Sequence, residues 1–223
     1  ADAASGYVVE NLDRGISAIS TGSGMMVSWR FLADDSDNSI FKLYRNNALI
    51  YTSNAGNATC YLDKDGKSTD TYKVETVESA TVVSSDTCAM QSGSNYLEVK
   101  LDVPKAQTSG ITYSPNDCTV GDVDGDGQYE IIMTWNPPDA KDAASGGRTG
   151  KVFIDAYKLD GTFMWRIDMG YNIRAGAHDT QLCAADFDGD GAAGLIVRTA
   201  DGTTDAQGNV IGDASRTALC NML

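Results

Sequence analysis

The sequence predicts an all-β protein in two parts, and three observations carry that expectation. Short apolar–polar alternations, separated by turn-forming clusters, fill the chain up to about residue 95. The stretch VGDVDGDGQYEIIMTW, Val120 to Trp135, recurs in weaker form as AADFDGDGAAGLIVRT, Ala184 to Thr199, at an offset of 64 residues. Each copy sets three aspartates at alternate positions immediately before an apolar run.

The first part, residues 1–95, reads as a small sheet domain. In GMMVSWRFL (Gly24 to Leu32) the alternation places Val27, Trp29 and Phe31 on one face. FKLYRNNALIYTS follows, with Asn46-Asn47 as the turn between two strands. A turn-rich loop, LDKDGKSTD, then leads to a strand whose alternate residues are Tyr72, Val74 and Thr76. The cadence VSW…FKLYRN resembles a fibronectin type III-like sandwich, which by itself names no activity.

The second part, residues 96–223, holds the repeat. Leu159-Asp160-Gly161 signals a hairpin between strands Lys151 to Lys158 and Thr162 to Asp168. Each unit thus reads as aspartate loop, strand, loop, strand, hairpin, strand, which is the pattern of a β-propeller blade. The polar insert NPPDAKDAASGGRTG accounts for the length of the offset. Propellers need about 4–8 blades, so two units are expected to be the first blades of a longer protein with further domains.

In DVDGDGQYE, carboxylates fall at Asp122, Asp124, Asp126 and Glu130. A tight loop turns alternate side chains towards one point, and calcium takes six to eight oxygens. The carbonyl of Gln128 adds one, and Gly125 and Gly127 allow the turn. Three alternating aspartates without a cation would repel one another, so a calcium site is expected. An EF-hand would place its last acid at position 12 of the loop, between helices; here an apolar strand follows at once. The second loop offers Asp186, Asp188, Asp190 and the carbonyl of Ala192, but has Gly194 where the first has Glu130. It is expected to bind more weakly.

Composition bounds the function. The 223 residues carry 17 Lys and Arg against 31 Asp and Glu, a net charge of −14, which disfavours nucleic acid and anionic membranes as partners. No apolar run approaches the ~20 residues of a membrane helix. The start ADAASG has the look of a secreted chain after leader removal. Of the cysteines, Cys60 and Cys88 are possible bridge partners; Cys118 and Cys183, each just before an aspartate loop, are expected to be buried; Cys220 adds an odd thiol. His178, the sole histidine, reads as a base, a ligand, a substrate contact or a hydrogen-bonded structural residue, and Arg174 as a partner for a substrate carboxylate or for an aspartate.

Longer strings narrow the reading. NLDRGISAI, VSWRFL, YSPNDCTVGDVDGDGQYEII, TGKVFIDAYKLDGTFMWRIDMGYNIRAGAH and RTADGTTDAQGNVIGD together resemble rhamnogalacturonan lyases of polysaccharide lyase family 11, from about Glu10 to Asp213. The resemblance implies a small N-terminal β-sheet domain and an eight-bladed, calcium-rich propeller. It implies a secreted bacterial endolyase that cuts the rhamnogalacturonan I backbone of pectin by β-elimination at galacturonate. It carries over two sugar contacts: Asn116, in YSPND, and Asn136, in TWNPP, where the family pattern has aspartate. Asp179 also departs from the pattern, standing where an aromatic follows the histidine. No catalytic base is assigned, because the blades expected to hold it and the catalytic calcium lie beyond Leu223. A second class of function fits the same residues: a non-catalytic, calcium-stabilised module binding polysaccharide or a protein. Glycan binding without product would separate the two.

Overall fold

The computed structural model describes residues 9–105, 110 and 112–216. Among them there is no helix, and sixteen strands form four sheets. The chain divides into two compact units, Ala1–Glu98 with Gly125–Gln128, and Val99–Asp124 with Tyr129–Leu223.

In the first unit the strands are β1 (Ser17–Ser20), β2 (Met25–Ser28), β3 (Ile40–Arg45), β4 (Ala48–Thr52), β5 (Cys60–Asp63), β6 (Tyr72–Glu78), β7 (Thr81–Thr87) and β8 (Met90–Ser92). One sheet runs in the order β5-β2-β1-β8 and the other β4-β3-β6-β7. Only the β1–β8 pair is parallel. Ala18, Met25 and Val27 from one sheet meet Phe41, Leu43, Tyr72 and Val74 from the other in a single apolar cluster. The alternation is therefore inward on both sheets, and Thr76 continues it, fully buried.

Asn46 and Asn47 both adopt positive φ, 49° and 67°, as a two-residue hairpin that matches the strand twist requires. The expected face of Val27, Trp29 and Phe31 holds only in part. Pairing on β2 ends at Ser28, Trp29 is buried just past it, and Phe31 is 48% exposed, meeting the Phe41 ring edge-on. At the end of β5, Asp63 accepts from Arg45 and from the buried Tyr72 hydroxyl. Burial and that carboxylate together raise the Tyr72 phenol above its ordinary value.

The second unit contains β9 (Ser114–Gly121), β10 (Glu130–Asn136), β11 (Phe153–Tyr157), β12 (Phe163–Asp168), β13 (Cys183–Ala185), β14 (Gly194–Ile196), β15 (Thr203–Thr204) and β16 (Val210–Ile211). Strands β9 to β12 form an antiparallel meander, extended by β15 and β16 in the order β16-β15-β12-β11-β10-β9. Strands β13 and β14 pair around the second aspartate loop. The Asp160–Gly161 hairpin forms as expected, with the Lys158 N–H donating to the Thr162 carbonyl at 2.9 Å and Gly161 at φ 87°.

The register gives this sheet two ends. Asn136 pairs with Ser114, Trp135 with Phe153, Phe153 with Asp168, and Asp168 with Thr204. At the other end Glu130 pairs with Gly121 and Tyr157 with Phe163. The first aspartate loop and the β11–β12 hairpin therefore lie at one end, and the polar insert between β10 and β11 at the other.

A buried charge network ties the middle of the sheet. Asp155 is fully buried; it accepts from Arg166 Nε and Nη2, both at 2.7 Å, from Trp135 Nε1 at 2.7 Å and from the Tyr157 hydroxyl at 2.6 Å. Burial and the adjacent carboxylate push the Tyr157 phenol up to about 12.

Cys60 and Cys88 remain separate thiols, and burial pushes the Cys88 thiol up to about 11. Cys118 and Cys183 are exposed rather than buried. Cys118 lies on the end strand β9, whose side chains from Ser114 to Cys118 face outward, and Cys183 begins the two-stranded sheet. Cys220 lies outside the described residues.

Removing Asp155 leaves Arg166, Trp135 and Tyr157 without their shared acceptor. Asp155→Ala is expected to cost about 3–5 kcal/mol, read as a lower urea midpoint followed by tryptophan fluorescence.

Candidate functional site

The turn from β9 to β10 brings three carboxylates together. Asp122, Asp124 and Glu130 offer oxygens that all lie within 4.8 Å of one another. Asp122 is 0% exposed and Glu130 1%, whereas Asp124 faces solvent. Asp122 directly follows β9 and Glu130 opens β10, so the hairpin register itself sets them side by side. One oxygen of Glu130 accepts the Val123 N–H at 2.9 Å, closing the loop. The Lys158 ammonium, from the neighbouring hairpin, reaches Asp124 at 2.6 Å.

Three carboxylates are gathered at this turn, and two of them are shielded from water. Burying ionised carboxylates is costly unless a cation neutralises them. Their hard oxygen donors match calcium, and a thiolate or imidazole ligand is absent from the group. The residues therefore fit the expected ion. Asp126 is exposed and stands outside this group, accepting the Gln128 N–H at 2.9 Å. The Gln128 side-chain amide donates to Asp13 at 2.5 Å, within the first unit as its residues cluster.

The second loop repeats the device more openly. Asp186, Asp188 and Asp190 form the other such carboxylate group among the described residues. Asp186 is buried and accepts the N–H groups of Gly189 and Gly191 at 2.7 and 3.0 Å; Asp188 and Asp190 are exposed. The Ala192 N–H donates to Asp190 at 2.9 Å. Gly194 stands exposed at the head of β14, in the place of Glu130, and brings no ligand. The Ala193 N–H donates to the Asp122 carbonyl at 2.6 Å, so the two loops touch backbone to backbone.

The expected sugar contacts lie at the opposite end of the sheet. Between the pairs Met133–Cys118 and Trp135–Pro115 the register shifts, so Asn116 and Asp117 together oppose Thr134. This is a β-bulge, a device that re-aims side chains. Asn116 is exposed on it; Asn136 is half-buried at the adjoining end of β10.

Near that end, Arg174 departs from the expected aspartate pairing. Among the described residues it binds no carboxylate; its guanidinium donates to the carbonyls of Lys141, Ser145 and Gly147, fastening the polar insert. His178 is exposed and its Nδ1 lies 2.6 Å from Asp142 of the same insert. That contact, foremost, holds the Asp142 carboxyl below the ordinary carboxylate range. Lys158, Asp142 and the Asp155 cluster escaped sequence reasoning because no fixed spacing links them to their partners.

Comparison with known proteins follows the same residues. A model of the rhamnogalacturonan lyase family 11 C-terminal domain matches residues 96–219. The chain belongs to rhamnogalacturonan lyase family 11. A model of the rhamnogalacturonan I lyase β-sheet domain matches residues 7–90, so the family resemblance of the sequence is met in both parts. The chain is 46% identical over 209 residues to the rhamnogalacturonan exolyase YesX of Bacillus subtilis, covering 92% of this chain and 34% of that one. It is 46% identical over 211 residues to the endolyase YesW of the same organism, covering 93% and 34%. The chain thus spans about a third of the length of these curated relatives. Among solved structures, YesX matches with a TM-score of 0.84 at 45% identity, over 93% of this chain and 35% of that chain. A Bacillus licheniformis lyase of the same family matches at 0.82 and 43% identity, over 94% and 36%.

Two outcomes are expected. Calcium should raise the melting temperature and a chelator lower it, by an amount set by ligand excess over Kd, about 2.7 kcal/mol at a hundredfold excess; Asp122→Asn should remove most of that response. His178→Ala should move the Asp142 pKa up towards its ordinary value in a carbon-13 NMR titration. The lowered value means this contact contributes above the ordinary carboxylate pKa and fades as pH falls through the lowered one.

Proposed function

We propose that the protein containing this chain is a secreted polysaccharide lyase that cleaves the rhamnogalacturonan I backbone of pectin by β-elimination at galacturonate. The observation that carries this reading is the 46% identity, along more than nine-tenths of the chain, to both an exolyase and an endolyase of rhamnogalacturonan. Because both modes of cleavage occur among relatives equally close, endolytic action rests on the sequence resemblance alone.

In this reading, residues 1–95 form a fibronectin-like sandwich. Residues 96–223 supply the first blades of a propeller, the β9–β12 meander being one complete four-stranded blade. Asp122, Asp124, Glu130, Asp126 and the Gln128 carbonyl hold one calcium. Asp186, Asp188, Asp190 and the Ala192 carbonyl hold another more weakly. Bound there, calcium neutralises the buried carboxylates and fixes the strand-to-strand turns.

The reaction removes the proton on C5 of galacturonate, beside its carboxylate, and expels the sugar linked at C4. Negative charge grows on that carboxylate, so donors aimed at it accelerate the step. Within this chain, Asn116 and Asn136 would orient the sugar through its hydroxyls. Asn136 offers both a donor and an acceptor where aspartate would only accept. That substitution also favours a second reading, a calcium-stabilised module that binds the polysaccharide without cutting it.

Incubating the whole protein with rhamnogalacturonan I should generate ultraviolet absorbance from the C4–C5 double bond, conjugated with the carboxylate of the product. Asn136→Ala should raise KM more than it lowers kcat. Binding of the polysaccharide with no absorbance at any calcium concentration would replace the lyase reading with the binding module.

A further inference from the structure

The second unit contains a cleft of about 340 Å³ that the residues discussed above do not use. It lies at the end of the six-stranded sheet that carries Asn116 and Asn136, because Lys151 precedes β11, Tyr171 follows β12, and both termini belong to that end by register. Its volume falls at the lower end of the range for small-ligand sites, about 300–1,000 Å³.

Its walls combine three chemistries. The Tyr171 ring is 54% exposed, with the Lys151 ammonium 5.0 Å from its centroid, and Val210 adds an exposed apolar patch. Lys151 is itself steadied by Asp168 at 2.7 Å. Arg216 is 72% exposed, and its contacts to Asp201 and Asp213, at 3.8 and 3.5 Å, are too long for hydrogen bonds. Its planar fork therefore keeps donors for a carboxylate ligand.

The cleft is also held in shape. The Asn172 amide donates to the carbonyls of Asp201 at 2.6 Å and Arg216 at 2.9 Å, joining two walls. Gly170 lies so close to the other wall that a β-carbon there would sit 2.7 Å from the Gly202 carbonyl oxygen. An aromatic face suits the C–H face of a sugar ring, and a guanidinium at the rim suits an acidic one. The cleft thus locates a local cation on a chain whose net charge is −14.

We propose that this cleft is a subsite for a uronic-acid ring, its apolar face against Tyr171 and its carboxylate on the Arg216 guanidinium. The choice of sugar rests on the polysaccharide reading above.

The test titrates the full chain, by calorimetry, with oligogalacturonate and with the same oligomer after its carboxyls are reduced to alcohols. The parent should bind the acidic form better than the reduced one. Arg216→Gln should weaken the acidic form by about tenfold or more and leave the reduced form unchanged. Tyr171→Ala should weaken both. Unchanged far-UV circular dichroism establishes that the variants fold. Equal binding of the two forms by the parent, no binding of the acidic form, or an Arg216→Gln affinity equal to the parent's would overturn the subsite. Product release by the whole protein from rhamnogalacturonan I is read separately. Product with no Arg216 effect on binding removes the subsite and keeps the lyase; an Arg216 effect without product supports the subsite and removes the lyase.

Discussion

Two carboxylates buried side by side at one turn are the constraint on which the second unit depends. Asp122 closes β9 and Glu130 opens β10, and the antiparallel register leaves them no other place to go. Asp124 joins them, and the Lys158 ammonium answers from the next hairpin. Like charges at such spacing oppose the very turn that the strand pairing demands. The turn and its counter-charge must therefore be considered together, and the acidic balance of the chain is partly an accounting of such sites.

The sheet built on that turn separates labour between its ends. One end gathers the aspartate loop and the tight hairpin, where backbone is short and charges are crowded. The other gathers the bulged Asn116, Asn136, the insert with its His178–Asp142 contact, and the Tyr171 cleft. Between them Asp155 binds Arg166, Trp135 and Tyr157 across three neighbouring strands. This core of polar bonds cross-links three adjoining strands between the two ends of the sheet.

Local chemistry was legible in the sequence where neighbours along the chain decide the outcome. Asn46-Asn47 and Asp160-Gly161 turn as their residue types demand, and Tyr72, Val74 and Thr76 face inward as their alternation implies. The carboxylate clusters at the two aspartate loops were legible for the same reason, since their acids follow one another at short fixed steps. Phe31 failed because alternation does not say where pairing stops, and here it stops at Ser28. Cys118 and Cys183 failed because a thiol's burial depends on which strand ends a sheet. Arg174 and the Tyr171–Arg216 cleft were illegible because their partners come from distant segments with no spacing to betray them.

Arg174 holds the insert between β10 and β11 through main-chain oxygens of Lys141, Ser145 and Gly147. An anchor of this kind is indifferent to the side chains it fastens. The segment's outward residues are thereby released to drift in evolution while its path stays put, and the surface beside Asn116 and Asn136 can be re-lettered without rebuilding the scaffold beneath it.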